Sequence, residues 1–247
     1  FAVMPPVLAS EGQLAQEAGR QARGDRQGKA HRVMARGPEP SLACDLVASY
    51  EEALFKANNL MLANLWGDGL PVWPATRERV EWILRGTALP RTHSFGRFPP
   101  RGGITTTETC AIALAMAGGR PEYLPVLIAA VEACLDATSN FDQLQATSGA
   151  PFPVVIVNGP IGRQIRLNSG FGCLGPDPQQ PAGASIGRAL RMLQQNVGGA
   201  LPGIGTMAIW GAMRYTNVVF AEDEEGLPEG WQPHATERHG YQPGTNS

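Results

Sequence analysis

The sequence predicts a mixed α/β (α+β) fold, in which a central apolar helix pair packs on a mixed sheet formed mainly by the C-terminal half. Three observations predict it. Apolar residues recur at spacings of three and four between Tyr50 and Met61, one stripe of an amphipathic helix. Two long apolar stretches, 106–117 and 121–136, are separated by Gly118-Gly119 and exceed strand length. Short β-branched or apolar runs then follow at 153–157, 206–210 and 217–221, each bounded by turn residues. No internal repeat and no sustained strand–helix alternation imposes a Rossmann arrangement.

Residues 1–45 carry scattered glycines, many Arg and Gln, and few large apolar side chains. Such a stretch buries too little area to offset its ordering entropy, so it reads as an extended arm or linker ahead of a single mixed α/β domain, 46–247. A helix from Ser49 to Trp66 opens that domain and Gly67-Asp68-Gly69 ends it, Asp68 reading as a turn residue. Thr76 is placed to cap a short helix that buries Val80, Ile83 and Leu84 and stops at Gly86. Residues 93–98 read as an extended strand, and the Pro99-to-Gly103 run as a bend.

Thr105 and Glu108 have the spacing of a capping box, which starts the helix at Thr106 with the hydroxyls of Thr106 and Thr107 near its amides. Its small residues Ala113, Ala115 and Ala117 allow close approach to the helix that begins at Pro121. Pro153 to Val157 reads as a buried strand, and Gln164 to Leu167 alternates like a paired neighbour across GPIGR. A glycine-rich passage leads to Ser185, read as the cap of a helix bearing Ile186, Leu190, Leu193 and Val197 on one face.

Composition narrows the function classes. The 20 Lys+Arg against 22 Asp+Glu give a net charge of -2, so no global field draws nucleic acid or an anionic membrane. No apolar run approaches the roughly 18 to 20 residues that span a bilayer. Small molecules and other proteins remain as partners. The start FAVMPPVLAS lacks a basic region before a long apolar core, so it reads as processed rather than as a signal peptide. Cys44, Cys110, Cys134 and Cys173 lie 66, 24 and 39 residues apart, spacings of neither a zinc site nor CxxC, and reduced thiols in a cytoplasmic protein fit best.

The chemistry-bearing residues concentrate between Pro153 and Leu190. Asn158 and Asn168 each end an expected strand beside glycine, a position from which an amide reaches a substrate or oxyanion, or simply completes a turn. Ser169 follows the second, and Arg163 lies between them. The Ser185 helix end, with Arg188 in its first turn, suits either a carboxylate or phosphate, or ordinary capping with Arg188 in a structural ion pair. It matches neither a Walker A loop nor GxGxxG. Cys173, in a glycine-flanked loop, is a possible nucleophile or redox thiol, or a half-buried structural cysteine. In the tail, His234, Glu237 and His239 have HxxExH spacing, which matches no metalloprotease motif; no metal is assigned, and His239 reads as an acid or base folded over the site or as a solvated tail residue.

GDGLPVWPATRERVEWIL, RGGITTTETCAIALAMAGGRPEYLPVLIAAVEA, VVIVNGP, NSGFGCLGP and SIGRAL together resemble a bacterial family associated with the UGSC (seleno)proteins, which are similar to selenoprotein B of glycine reductase. The likeness covers Trp66 to Tyr241. It implies that this chain is the substrate-holding portion, with a UGSC-like thiol or selenol either fused upstream or carried by a separate subunit. The family's AVMAGCxPEYLPV stands here as AMAGGRPEYLPV, so Gly119 occupies a cysteine position and a thiol at that point plays no part. The resemblance carries Glu108, Asn158, Asn168, Ser169 and Arg188 over as site residues.

These readings converge on a subunit of a hetero-oligomeric cytoplasmic enzyme that acts on a small anionic organic molecule. Glu108, Asn158, Asn168 and His239 are the catalytic candidates; Thr106, Thr107, Arg163, Ser169, Ser185 and Arg188 are the substrate-binding candidates. A partner thiol favours reductive or eliminative C–S or C–N cleavage. A self-contained hydrolase or lyase and a non-catalytic scaffold subunit are the alternatives, and the sequence identifies no cofactor.

Overall fold

The computed structural model describes residues 50–149, 151–170, 172–209 and 218–247, and the fold is mixed α+β. The arm expected at 1–45 and the end of the 206–210 run lie outside the described residues, as does Asn217. Helix α1 (Tyr50–Ala63) buries Ala57, Leu60 and Met61. Helix α2 (Arg77–Leu84) begins as expected at Thr76, whose Oγ1 accepts from the Arg79 amide at 3.3 Å.

Strands β1 (Ser94–Phe98) and β2 (Gly103–Thr106) form an antiparallel ladder with Phe98 opposite Gly103. It runs directly into helix α3 (Thr107–Met116). The capping box sits one residue later than the sequence suggests. Thr106 is the cap, its Oγ1 accepting from the Thr109 amide while Thr109 Oγ1 accepts from the Thr106 amide at 2.8 Å, so a threonine rather than Glu108 closes the box. Every residue from Cys110 to Met116 is buried, which an all-apolar helix requires. Gly118, at φ 72°, supplies the left-handed turn that stops it.

A short 3-10 turn at Pro121–Tyr123 leads into α4 (Leu124–Leu135), and α5 (Phe141–Ala146) follows. Strand β3 (Val154–Val157) pairs in parallel with β4 (Val218–Ala221), and the crossover between them contains α6 (Ile161–Gln164) and α7 (Ala182–Asn196). Helix α8 (His234–His239) is followed by residues 240–247, the last of which bonds Asn158.

Three expectations are corrected. Among the described residues the strands make two separate two-stranded ladders, one of them in the first half of the chain, rather than one mixed sheet from the C-terminal half. Gln164 to Leu167 is no strand: Pro160 enters a single helical turn, Arg166 takes a left-handed φ of 57°, and the Leu167 amide returns to Gly162 O at 2.8 Å. Within the 206–210 run, Thr206 makes one bridge to Pro202, and the amides of residues 207–209 donate to the carbonyls of 146–148 instead of building a ladder.

Helix α3 makes its broadest helix contact with α7 rather than with α4, its partner in the expected pair. Ile186, Ala189, Leu190 and Leu193 of α7 are at most 1% exposed, and truncating one such leucine to alanine costs about 2–5 kcal/mol. The opposite, polar flank of α7 holds the loop after α1. Gln195 Nε2 donates to Leu65 O and Gly67 O at 3.1 and 2.6 Å, and Asn196 Nδ2 to Trp66 O at 2.6 Å. Arg188 completes this grip by a two-point ion pair with Asp68, 2.7 and 2.9 Å, and a bond to Pro71 O.

Candidate functional site

A cleft of about 620 Å³ opens between α4, α5, β3 and the C-terminal residues. Ala129 and Ala133, one helical turn apart on α4, form one wall with Cys134. Phe141, Leu144 and Gln145 of α5 and Phe152 to Ile156 of the β3 segment form the others. His234, His239 and Tyr241 stand at the end where Asn158 terminates β3. The two imidazole rings are 6.2 Å apart edge to face, and His239 lies 6.3 Å from the Tyr241 ring.

Alternation along β3 explains the cleft's rim. Glu222 N donates to Val157 O, on the β4 side, whereas the Asn158 amide and carbonyl bond to Ser247 on the other. Val154 and Ile156 therefore turn their peptide groups to the edge away from β4, and they are 53% and 40% exposed. Asn158 itself is 4% exposed. Its Nδ2 donates to Glu222 Oε2 at 2.5 Å and to Glu224 Oε1 at 2.9 Å, while Glu222 Oε2 also accepts from the His234 amide at 2.8 Å. One carboxylate thus fixes both the end of β3 and the start of α8.

The sequence-predicted residues do not meet at one point. Asn158 and His239 share the cleft. Arg163 and Ser169 line a separate niche of about 250 Å³ with Glu222 to Glu225, where Arg163 is ion-paired to Glu225. Asn168 and Cys173 flank a crevice of about 20 Å³ at the start of α7, room for about one water and not for an organic ligand. Asn168 Nδ2 donates to Gly172 O there, closing the loop. Helix α7 begins at Ala182 behind Pro181, so Ser185 lies inside its first turns and is not its cap. Arg188 is held by Asp68, the structural pairing rather than a free anion cradle.

The start of α3 is likewise occupied. Thr107 N donates to His93 O and Glu108 N to Arg91 O, both at 3.1 Å, and Glu108 Oε1 lies 3.2 Å from Arg91 Nε. With Thr106 and Thr109 capping each other, the amides there have protein partners, and Thr106, Thr107 and Glu108 are not among the cleft's lining residues.

Gln145 and His234 line the cleft without having been assigned to the site from the sequence. Nothing local marks Gln145, which reads as one more polar residue of FDQLQA, like Gln143. Its burial is inverted relative to its neighbour: Gln145 is 0% exposed and Leu144 is 41% exposed. Among the described residues no three His, Cys, Asp or Glu side chains converge as metal ligands.

The thiols differ sharply. Cys173 is exposed, whereas Cys110 and Cys134 are buried. Burial, seconded by the charge of Glu132, pushes the Cys110 thiol up to about 12, and burial alone does the same for Cys134. The cleft's own thiol is therefore protonated and a poor nucleophile at neutral pH. Unfolded thiols ionise from the ordinary value of 9.0, before their folded counterparts, so the unfolded state binds fewer protons above that pH and stability falls. The thiol contribution is fully present below about pH 9 and is lost as pH rises toward 12. Urea unfolding across this range shows a declining midpoint, and Cys110→Ala makes the decline shallower; an unchanged slope contradicts the assignment.

No family model matches the chain, and comparison with curated proteins and with solved structures finds no match. No helix of the described residues is long and apolar enough to cross a membrane.

Proposed function

We propose that this chain is the substrate-holding subunit of a hetero-oligomeric enzyme, with a small organic substrate bound in the cleft between α4, α5, β3 and α8. The carrying observation is the cleft itself, whose size falls within the range of small-molecule sites and whose apolar walls converge with a few polar groups at one end. His239 and His234 are the acid–base candidates there, and Asn158 holds the strand end against which they stand. The reacting thiol or selenol comes from a UGSC-like partner, in keeping with the sequence resemblance; among the described residues the one cysteine that lines the cleft, Cys134, is held protonated. The chemistry that fits such a division of labour is reductive or eliminative cleavage of a C–S or C–N bond.

The apolar walls of the cleft favour a largely apolar substrate. Among the described residues no Lys or Arg lines the cleft, and Arg163 and Arg188 are paired with Glu225 and Asp68.

Ala133 gives the direct test, being exposed on the outer face of α4 and part of the cleft wall. Ala133→Trp fills the cleft without disturbing the core, and its helix-propensity cost is about 0.5 kcal/mol. Native mass spectrometry of the purified wild-type chain shows a bound small molecule that the variant lacks, and turnover with the thiol-bearing subunit falls at least about 10-fold in the variant. Undiminished turnover in Ala133→Trp with an unchanged melting temperature sinks the proposal.

A further inference from the structure

The cleft contains one polar group whose chemistry specifies a ligand. Gln145 is 0% exposed, it lines the cleft, and neither its Nε2 nor its Oε1 has a hydrogen-bond partner. Leaving a buried donor or acceptor unmet is costly, whereas a leucine or methionine there would incur no such cost. The same short helix exposes Leu144 at the cleft, so the chain has put the apolar residue outward and the amide inward. An unsatisfied buried amide at a cleft wall calls for a partner that enters the cleft.

We infer that the cleft is selective for a neutral group that both donates and accepts, a carboxamide or the equivalent edge of a lactam or imide, recognised through the Gln145 side chain. This rests on the reading of the cleft as a small-molecule site. A carboxamide meets Gln145 with two antiparallel hydrogen bonds, N–H to Oε1 and C=O to Nε2, and satisfies both ends at once. A carboxylate offers only acceptors; it meets Nε2 and sets its second oxygen against Oε1. An ammonium has the opposite defect. A hydrocarbon leaves both ends unmet. The surroundings agree. Among the described residues the lining has no Lys or Arg to offset a ligand carboxylate and no Asp or Glu to offset a ligand cation, and the Cys134 thiol is neutral. A charge set against the apolar part of these walls, rather than beside the two imidazoles, loses hydration without compensation.

The experiment uses three probes that share a phenylpropyl frame: 3-phenylpropanamide, 3-phenylpropanoate and propylbenzene. Binding to the full chain at about pH 8 is followed by the methyl NMR shifts of Ala129 and Ala133, which report on the cleft wall. The expected result is that the amide binds at least about 10-fold more tightly than the carboxylate. In Gln145→Met, which conserves volume and removes both polar atoms, that preference falls to about onefold while propylbenzene binding is kept or strengthened. Two results overturn the inference but leave the cleft as a binding site: a carboxylate that binds as tightly as the amide to the wild type, or an amide preference that survives in Gln145→Met. If none of the probes shifts either methyl, the cleft reading fails and the inference fails with it.

Discussion

Asp68→Ala lowers the stability of the folded chain by about 3–5 kcal/mol, the cost of leaving a buried cation without its partner. Asp68 and Arg188 have side chains only 6% and 15% exposed, and they meet in a two-point, charge-assisted geometry. Arg191, one turn further along α7, raises the stakes. It is 5% exposed, its Nη1 has no hydrogen-bond partner, and burial lowers its pKa from the ordinary value while the charge of Asp68 opposes that shift. Removing the carboxylate therefore takes the counter-charge from two guanidiniums, Arg188 keeping only its bond to Pro71 O. For a domain of this size the loss corresponds to a melting temperature lower by roughly 10 °C. Asp68→Leu combined with Arg188→Leu recovers part of the loss because Arg188 then carries no buried charge. A loss below about 1 kcal/mol in Asp68→Ala shows that water reaches the pair and that the grip on the loop is weak.

Gly183→Ala is expected to destabilise by about 3 kcal/mol, although alanine is the better helix former by about 1 kcal/mol. A Cβ at this position in the first turn of α7 lies 2.5 Å from Val219 O and 3.2 Å from Asn168 Oδ1. The first contact is with strand backbone and cannot be relieved by a side-chain rotation, so helix and strand must separate. The sign of the change is decisive. A stabilised variant means that α7 does not pack closely on β4; a destabilised one assigns this glycine to packing instead of to a phosphate-binding turn.

The fold was legible where signals are local. Thr76 before RERVEWIL, Gly118 after the all-apolar helix and the β-branched VVIV each carry their structure in a few residues, and the corresponding elements appear at those places. Alternation misled at Gln164 to Leu167, because a period of two over four residues cannot outweigh Pro160 and the freedom of Gly162 beside it. The site was less legible because its geometry is made by distant pairs. Arg188 and Asp68 are 120 residues apart, and Asn158 and Glu222 are 64 apart. Nothing near Arg188 in the chain says that its charge is already spent. Asn158 and His239 do share a cleft, read from a strand end and a tail, but Gln145 has no local mark that separates it from Gln143.

The grip of α7 on the loop after α1 also sets an order of events when the chain is made. The bonds from Arg188, Gln195 and Asn196 reach back 117 to 130 residues. Contacts of such separation slow folding, because a long loop must close before they form. On the ribosome, α3 emerges with apolar residues on every face well before α7 is available to cover it. For that interval the chain presents a sticky helix to its surroundings, and a nascent or truncated product that ends before Ala182 is the species most prone to aggregate or to engage a chaperone.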